Sequence, residues 1–170
     1  MGVLVSQAPH RRVHLTSTTV VGREPARDLW IDHHSVSRVH AILAWSEGGW
    51  TLQDDHSTNG TFVDGERLPA GAVVPIDEGT VLSFGRSEAR WELDDGRPPE
   101  PLALAANSDE QRVGVGGALT LEDDSGRRWE VAEFAGCWTL RGPDGTQAVA
   151  DNQIVEVSGQ PWRLRLPSSS

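Results

Sequence analysis

Short segments of alternating apolar and polar residues, each closed by a turn signal, recur along nearly the whole chain and confine it to an all-β fold. Val13 to Val21, Ala41 to Trp45, Trp50 to Asp54, Thr61 to Val63, Val81 to Phe84 and Arg90 to Leu93 alternate with period two, which puts successive side chains on opposite faces of a strand. Glu47-Gly48-Gly49, Asp55 to Gly60, Asp64-Gly65, Pro69 to Gly71 and Asp77 to Gly79 punctuate them. Runs with helical spacing are scarce. Short strands at this interval predict a β-sandwich. Eighteen glycines and ten prolines supply the turns, and seven tryptophans supply bulk for a core, so wholesale disorder is excluded.

The stretch Asp94 to Pro101, DDGRPPEP, interrupts the pattern with charge, glycine and three prolines and is a linker candidate. The organisation read from this is a domain over residues 1–95, a linker over 96–101 and a small β-rich region over 102–170. In the last, Leu119 to Leu121, Arg128 to Ala132, Trp138 to Arg141, Ile154 to Val157 and Trp162 to Leu166 read as strands, and the final PSSS is expected to fray. A faint repeat joins the two regions. Ala44-Trp45 through Gly49-Trp50-Thr51-Leu52 is matched by Ala132 through Cys137-Trp138-Thr139-Leu140, and Arg90-Trp91-Glu92-Leu93 by Pro161-Trp162-Arg163-Leu164. A decayed duplication and two strand pairs of independent origin both account for it.

Net charge is -10; residues 1–95 hold eight arginines against fourteen acids, and residues 96–170 seven against eleven. Neither part has the basic surplus that drives binding to nucleic acid or to anionic membrane, so an anionic ligand needs a local cation cluster. Every cation is arginine, a planar bidentate donor. Cys137 is the only cysteine. It allows no intrachain disulfide, and beside Trp138 it is expected to be a packed apolar residue. No apolar run reads as a secretory signal or a transmembrane helix, and a soluble cytoplasmic protein is expected.

Three short elements in order carry the chemistry: Val21-Gly22-Arg23-Glu24 at a strand end, Ser35-Val36-Ser37-Arg38-Val39-His40-Ala41 leading into a strand, and Asp55-His56-Ser57-Thr58-Asn59-Gly60-Thr61 after one. Arg23 follows a glycine at a strand end, where its side chain can project. Ser37 and Arg38 offer a hydroxyl, a backbone N–H and a guanidinium; Thr58 and Asn59 offer a second hydroxyl and a carboxamide. Gathered at one end of a sandwich, these donors suit a phosphate. Asn59, donor and acceptor at once, suits a peptide backbone. No carboxylate stands among the donors, although Glu24 and Asp55 are neighbours in sequence. Singly, each residue reads equally as turn chemistry; the ordered set is long and specific.

That set, with the late Phe84-Gly85, makes residues 20–93 similar to the forkhead-associated (FHA) domain family. The resemblance implies an FHA-type β-sandwich that binds phosphothreonine peptides through loops at one end. By it, Arg23, Ser37, Arg38 and Thr58 contact the phosphate and Asn59 holds the peptide main chain. Gly22, His40 and Gly60 support the site. Residues 102–170 contain Gly126-Arg127 but lack Ser-x-x-His and Thr-Asn-Gly, so no phosphate site is expected there.

The expected role is therefore phosphothreonine-peptide recognition in protein–protein interaction and kinase-linked signalling. The expected partner is a phosphothreonine-containing protein, a Ser/Thr kinase or its substrate. No catalytic residue, cofactor, metal, nucleic acid or membrane is expected. A phospho-independent interaction scaffold is the main alternative, and a transcription regulator using residues 102–170 a weaker one. His33, His34, His40, Asp54, Asp55 and His56 suggest a metallohydrolase but show no known ligand spacing. Ser37, His40 and Asp54 suggest a hydrolase triad, without a nucleophile-elbow signature. Trp45, Trp50 and Trp91 suggest a stacking platform, but their strand positions suit a core.

Overall fold

A tight hairpin sets the frame. Ala41–Ser46 (β5) and Gly49–Asp54 (β6) are joined by Glu47-Gly48, and the register places Trp45 opposite Trp50. Period-two alternation turns Trp50, Leu52 and Asp54 of β6 inward, where all three are buried. Thr18–Gly22 (β3) pairs with β5, Leu29–Trp30 (β4) lies parallel outside β3, and Val73–Ile76 (β9) lies outside β6, giving the order β4-β3-β5-β6-β9. The second sheet uses Val3–Gln7 (β1), His10–His14 (β2), Thr61–Val63 (β7), Glu66–Arg67 (β8), Val81–Phe84 (β10) and Trp91–Asp95 (β11), in the order β2-β1-β11-β10-β7-β8. Both sheets contribute to one core, in which Leu4, Leu43, Leu52, Leu82 and Leu93 are fully buried with Val21 and Phe84. These elements come from a computed structural model that describes residues 1–8, 10–86 and 89–168, so Ser169 and Ser170 of the terminal PSSS lie outside it. Among the described residues there is no helix, and so none long and apolar enough to cross a membrane.

Two tryptophans suggested as a stacking platform are core residues. Trp50 is 2% exposed and Trp91 1%; Trp45 packs against the same core, its ring 5.4 Å from that of Trp50 and tilted edge-on. Val13 to Val21 is not one strand. The chain turns at Leu15 to Ser17 and crosses from one sheet to the other, with Thr16 N–H donating to the Thr19 hydroxyl (3.1 Å) and the Thr16 hydroxyl to the Thr18 carbonyl (2.8 Å). β9 escapes the alternation reading because Pro75 lies within it; as an edge strand, paired only with β6, it tolerates the missing donor.

The chain divides into two compact units, Met1–Pro99 and a second from Glu100 onwards. The interruption after the first domain starts later than Asp94, because β11 runs through Asp95, which pairs with Val3. Past it, the Arg97 carbonyl accepts from Trp50 Nε1 (3.2 Å).

The second unit contains Leu102–Ala105 (β12), Gln111–Val113 (β13), Ala118–Glu122 (β14), Arg128–Phe134 (β15), Cys137–Gly142 (β16), Gly145–Ala148 (β17), Ile154–Val157 (β18) and Gln160–Arg165 (β19). Its sheets are ordered β13-β12-β19-β18 and β14-β15-β16-β17. Leu119, Val131, Leu140 and Leu164 form its core with Trp129, Trp138 and Trp162. The wiring repeats that of the first unit: in each, the first strand sits between the second and the last. The matched residues also make matched bonds. Thr51 Oγ1 donates to the Ala44 carbonyl and Thr139 Oγ1 to the Ala132 carbonyl, both at 3.2 Å. Trp50 Nε1 and Trp138 Nε1 each donate to a carbonyl two residues beyond the last strand, Arg97 and Pro167. Cys137, expected to be packed, is exposed; since Trp138 points inward on β16, strand alternation sends its neighbour outward.

Candidate functional site

β3 ends at Gly22, where a Cβ would overlap the Arg38 carbonyl. Glycine here lets residues 23–40 fold back against the strand end. Arg23 then pins that loop twice: its N–H donates to the Ser37 carbonyl (2.9 Å) and its Nε to the Val36 carbonyl (3.1 Å). The Arg23 carbonyl is held in turn by Trp30 Nε1 at 3.2 Å. Its Nη groups have no partner among the described residues, and the side chain is exposed. The exposed Arg38 guanidinium likewise forms no hydrogen bond or ion pair among the described residues.

His40 joins this loop to the next. It is fully buried; Nδ1 accepts the Ser37 N–H (2.9 Å) and Nε2 faces the Gly60 carbonyl (3.0 Å). The two partners assign the neutral tautomer with the proton on Nε2. Phe84 meets the ring edge-on at 5.8 Å. Burial holds the His40 pKa below its ordinary 6.5, against the opposing pull of the Gly60 carbonyl and of Asp54.

The third element is built on Asp54. Its carboxylate accepts the Ser57 N–H (3.0 Å), the Ser57 hydroxyl (2.6 Å) and the Thr61 hydroxyl (2.7 Å). Burial pushes the Asp54 carboxyl up, but these three donors outweigh it and, helped by His40, hold the pKa below the ordinary carboxylate value. The Ser57 hydroxyl in turn accepts the Gly60 N–H (3.0 Å). Gly60 has φ +89°, a conformation that strains any other residue.

The loops meet at Ser37 and Ser35. Thr58 N–H donates to the Ser37 hydroxyl oxygen (3.1 Å), and Asn59 Nδ2 donates to the Ser35 carbonyl (2.8 Å). This leaves the Ser37 hydroxyl proton, the Thr58 hydroxyl and the Asn59 carbonyl oxygen without a partner among the described residues. Thus Arg23, Ser37, Arg38, Thr58 and Asn59 come from two adjoining loops, with Gly22, His40 and Gly60 beneath them.

The rival constellations are not assembled. Ser37 meets His40 through its backbone N–H, not its hydroxyl, and His40 Nε2 faces a carbonyl, not a carboxylate; that is no hydrolase triad. Among the described residues no group of three or more His, Cys, Asp or Glu is placed to hold a metal ion.

The FHA domain model matches residues 19–85, a span that includes Arg23, Ser37, Arg38, Thr58 and Asn59. The N-terminal unit is an FHA domain. Nibrin of Danio rerio is 39% identical to this chain over 75 residues, 44% of the chain and 9% of nibrin. The oxoglutarate dehydrogenase inhibitor of Corynebacterium glutamicum is 39% identical over 67 residues, 39% of the chain and 47% of that protein. The chain thus spans less than half of each relative. A solved FHA domain of an Arabidopsis thaliana hypothetical protein superposes with TM-score 0.50 at 23% identity, over 58% of this chain and 87% of that one, a likeness of fold.

Three residues that organise the FHA loops were quoted in the sequence but given no supporting role there. Ser35 is the hub: its hydroxyl lies 2.7 Å from His33 Nδ1 and accepts the Arg86 N–H, also at 2.7 Å, while its carbonyl holds Asn59. Gly85 (φ +64°) donates to the Gly60 carbonyl and abuts Ser35, where a Cβ would collide with its carbonyl. Asp54 was read as a rival metal ligand or triad member. Its signal was present: Asp, then Ser at i+3 and Thr at i+7, is the spacing of a carboxylate that caps its own turn.

Proposed function

We propose that this FHA domain binds a phosphothreonine segment of a partner protein and acts as an interaction module in kinase-linked signalling, not as an enzyme. The observation that carries the reading is the setting of Ser37. Its backbone is fixed by Arg23 and His40, its hydroxyl is aligned by Thr58, Arg23 reaches the neighbouring Val36 carbonyl with its Nη groups left unpartnered among the described residues, and Arg38 follows Ser37 in the chain. In a chain of net charge -10, two arginines with unpaired donors, in adjoining loops with two hydroxyls whose protons are unpartnered among the described residues, are suited to one dianionic group. The resemblance to FHA domains supplies the threonine preference and the role of Asn59 toward the peptide main chain. The partner is then a phosphorylated Ser/Thr kinase or a substrate of one.

The test is a phosphothreonine peptide library, with unphosphorylated controls, probed with the whole chain. Binding restricted to phosphorylated members is expected; a partner retained after phosphatase treatment would establish the phospho-independent scaffold instead. Ser37→Ala and Thr58→Ala should each weaken phosphopeptide binding by about 1.5–3 kcal/mol, the worth of one hydrogen bond to a charged group. Thr58 is exposed and Ser37 half-buried, so melting temperature should stay within about 4 °C of the parent. Calorimetric titration beside thermal unfolding checks both statements.

A further inference from the structure

The arginines of the first unit are unevenly used. Among the described residues, Arg12 is paired with Asp94, Arg27 with Glu24 and Arg97 with Asp95, while Arg11 donates to the Trp30 carbonyl (2.8 Å) and lies over the Trp91 ring. Arg23 and Arg38 flank Ser37. That leaves Arg67, Arg86 and Arg90, all exposed, with no side-chain hydrogen bond or ion pair among the described residues. They are gathered around one cleft. Phe62, Val81, Ser83, Gly85, Arg86 and Arg90 line it, and no described lining residue is acidic. Leu82 and Phe84 of β10 point into the core, so Ser83 between them faces the other side of the sheet, opposite Phe62. Arg67 is the register partner of Phe62, and its guanidinium lies against Gly60. The carboxylate at the far end, Asp64, already accepts the Val81 N–H (2.9 Å).

This cleft adjoins the loops described above. Gly85 donates to the Gly60 carbonyl (2.8 Å), and Arg86 N–H donates to the same Ser35 whose carbonyl fixes Asn59. A peptide main chain held at Asn59 therefore needs to cross about one strand spacing, roughly 5 Å, to enter the cleft. Exposed guanidinium groups left together without counterions among the described residues, in a unit where acids outnumber arginines fourteen to nine, are complementary to an anion and carry mutual repulsion until one arrives. We propose that Arg86 and Arg90, with Arg67 at the rim, form a second anion subsite for a further phosphate or carboxylate on the same peptide. Phe62 packs the intervening residue. This rests on the phosphothreonine reading of the first site and adds a preference for multiply charged partners.

The experiment uses the whole chain and three kinds of peptide: one with a single phosphothreonine, one with a second phosphothreonine about two to six residues away on either side, and one with glutamate at that second position, spacing being set by about 3.3 Å per extended residue. At least one spacing should bind about tenfold more tightly than the single phosphothreonine, and glutamate should recover part of that gain if the subsite accepts any anion. In Arg86→Gln/Arg90→Gln the gain should vanish, with affinity for the singly phosphorylated peptide within about twofold of the parent. Arg67→Gln supplies a second variant, expected to lose part of the gain. No gain at any spacing, or a gain that persists in the double variant, overturns the subsite while leaving the first site standing. Failure of every phosphorylated peptide to bind overturns the first site, and this one with it.

Discussion

Arg23→Ala should lower phosphopeptide affinity by about 2–4 kcal/mol, roughly 30- to 800-fold. Two losses combine. The free Nη groups are a bidentate donor for phosphate, and the Nε bond to the Val36 carbonyl helps fix the loop that presents Ser37 and Arg38. Arg23→Lys separates them: it keeps a cation at the strand end but lacks the planar fork, so it should recover less than half of the lost free energy. The Arg23 backbone N–H bond to Ser37 survives both substitutions, and an exposed side chain contributes little to the core, so melting temperature should change little. Isothermal titration of parent, Ala and Lys proteins with one phosphothreonine peptide decides it. An alanine variant binding as tightly as the parent would remove Arg23 from the site.

How far the sequence reached follows from the range of the forces involved. β5, β6 and β11 were legible because burial on one face imposes period two on consecutive residues. The corner at Leu15 to Ser17 was not: alternation continues across it, and only hydrogen bonds among Thr16, Thr18 and Thr19 show that the chain changes sheets. Cys137 was misjudged by hydrophobicity, though the inward Trp138 next to it already dictated an outward position. At the site, Arg23, Ser37, Arg38, Thr58 and Asn59 were legible as an ordered motif. The roles of Ser35 and Gly85, which stand in the same motifs, were not, since each acts on residues more than twenty positions away in sequence, a closure that no local pattern encodes. The repeat moves from ambiguous to structural. Paired Thr–Ala and Trp–carbonyl bonds in matching strands are features that two independently formed hairpins need not share. What differs is the connections. In the first unit residues 23–40 lead from β3 into β5, whereas residues 123–127 alone join β14 to β15, and Pro143-Asp144 alone turns β16 into β17. The second unit keeps the frame and omits the loops that carry the site.

His40→Ala should lower stability by about 2–4 kcal/mol, a fall in melting temperature of at least about 10 °C. The substitution leaves a cavity against Phe84 and strands the Ser37 N–H; the Gly60 carbonyl keeps its bond from Gly85. Affinity should fall as well, because Ser37 loses its anchor. His40→Asn can still accept the Ser37 N–H but cannot reach Gly60, whereas His40→Gln can donate to Gly60 but not serve Ser37. Asn should therefore restore more binding than Gln. Acid gives an independent readout. Since the native pKa lies below 6.5, the unfolded chain takes up the proton first. The stability that neutral His40 contributes is complete above the unfolded value and declines as pH falls below about 6.5 toward the native pKa. His14, also lowered chiefly by burial, adds a decline of the same sign, so the measurement is the difference between parent and His40→Asn across pH 7 to 5 in chemical denaturation. That difference should shrink as pH falls. A constant difference would mean that His40 is not held neutral between the loops. An alanine variant with unchanged melting temperature and no phosphopeptide binding would make His40 a ligand contact in place of a brace.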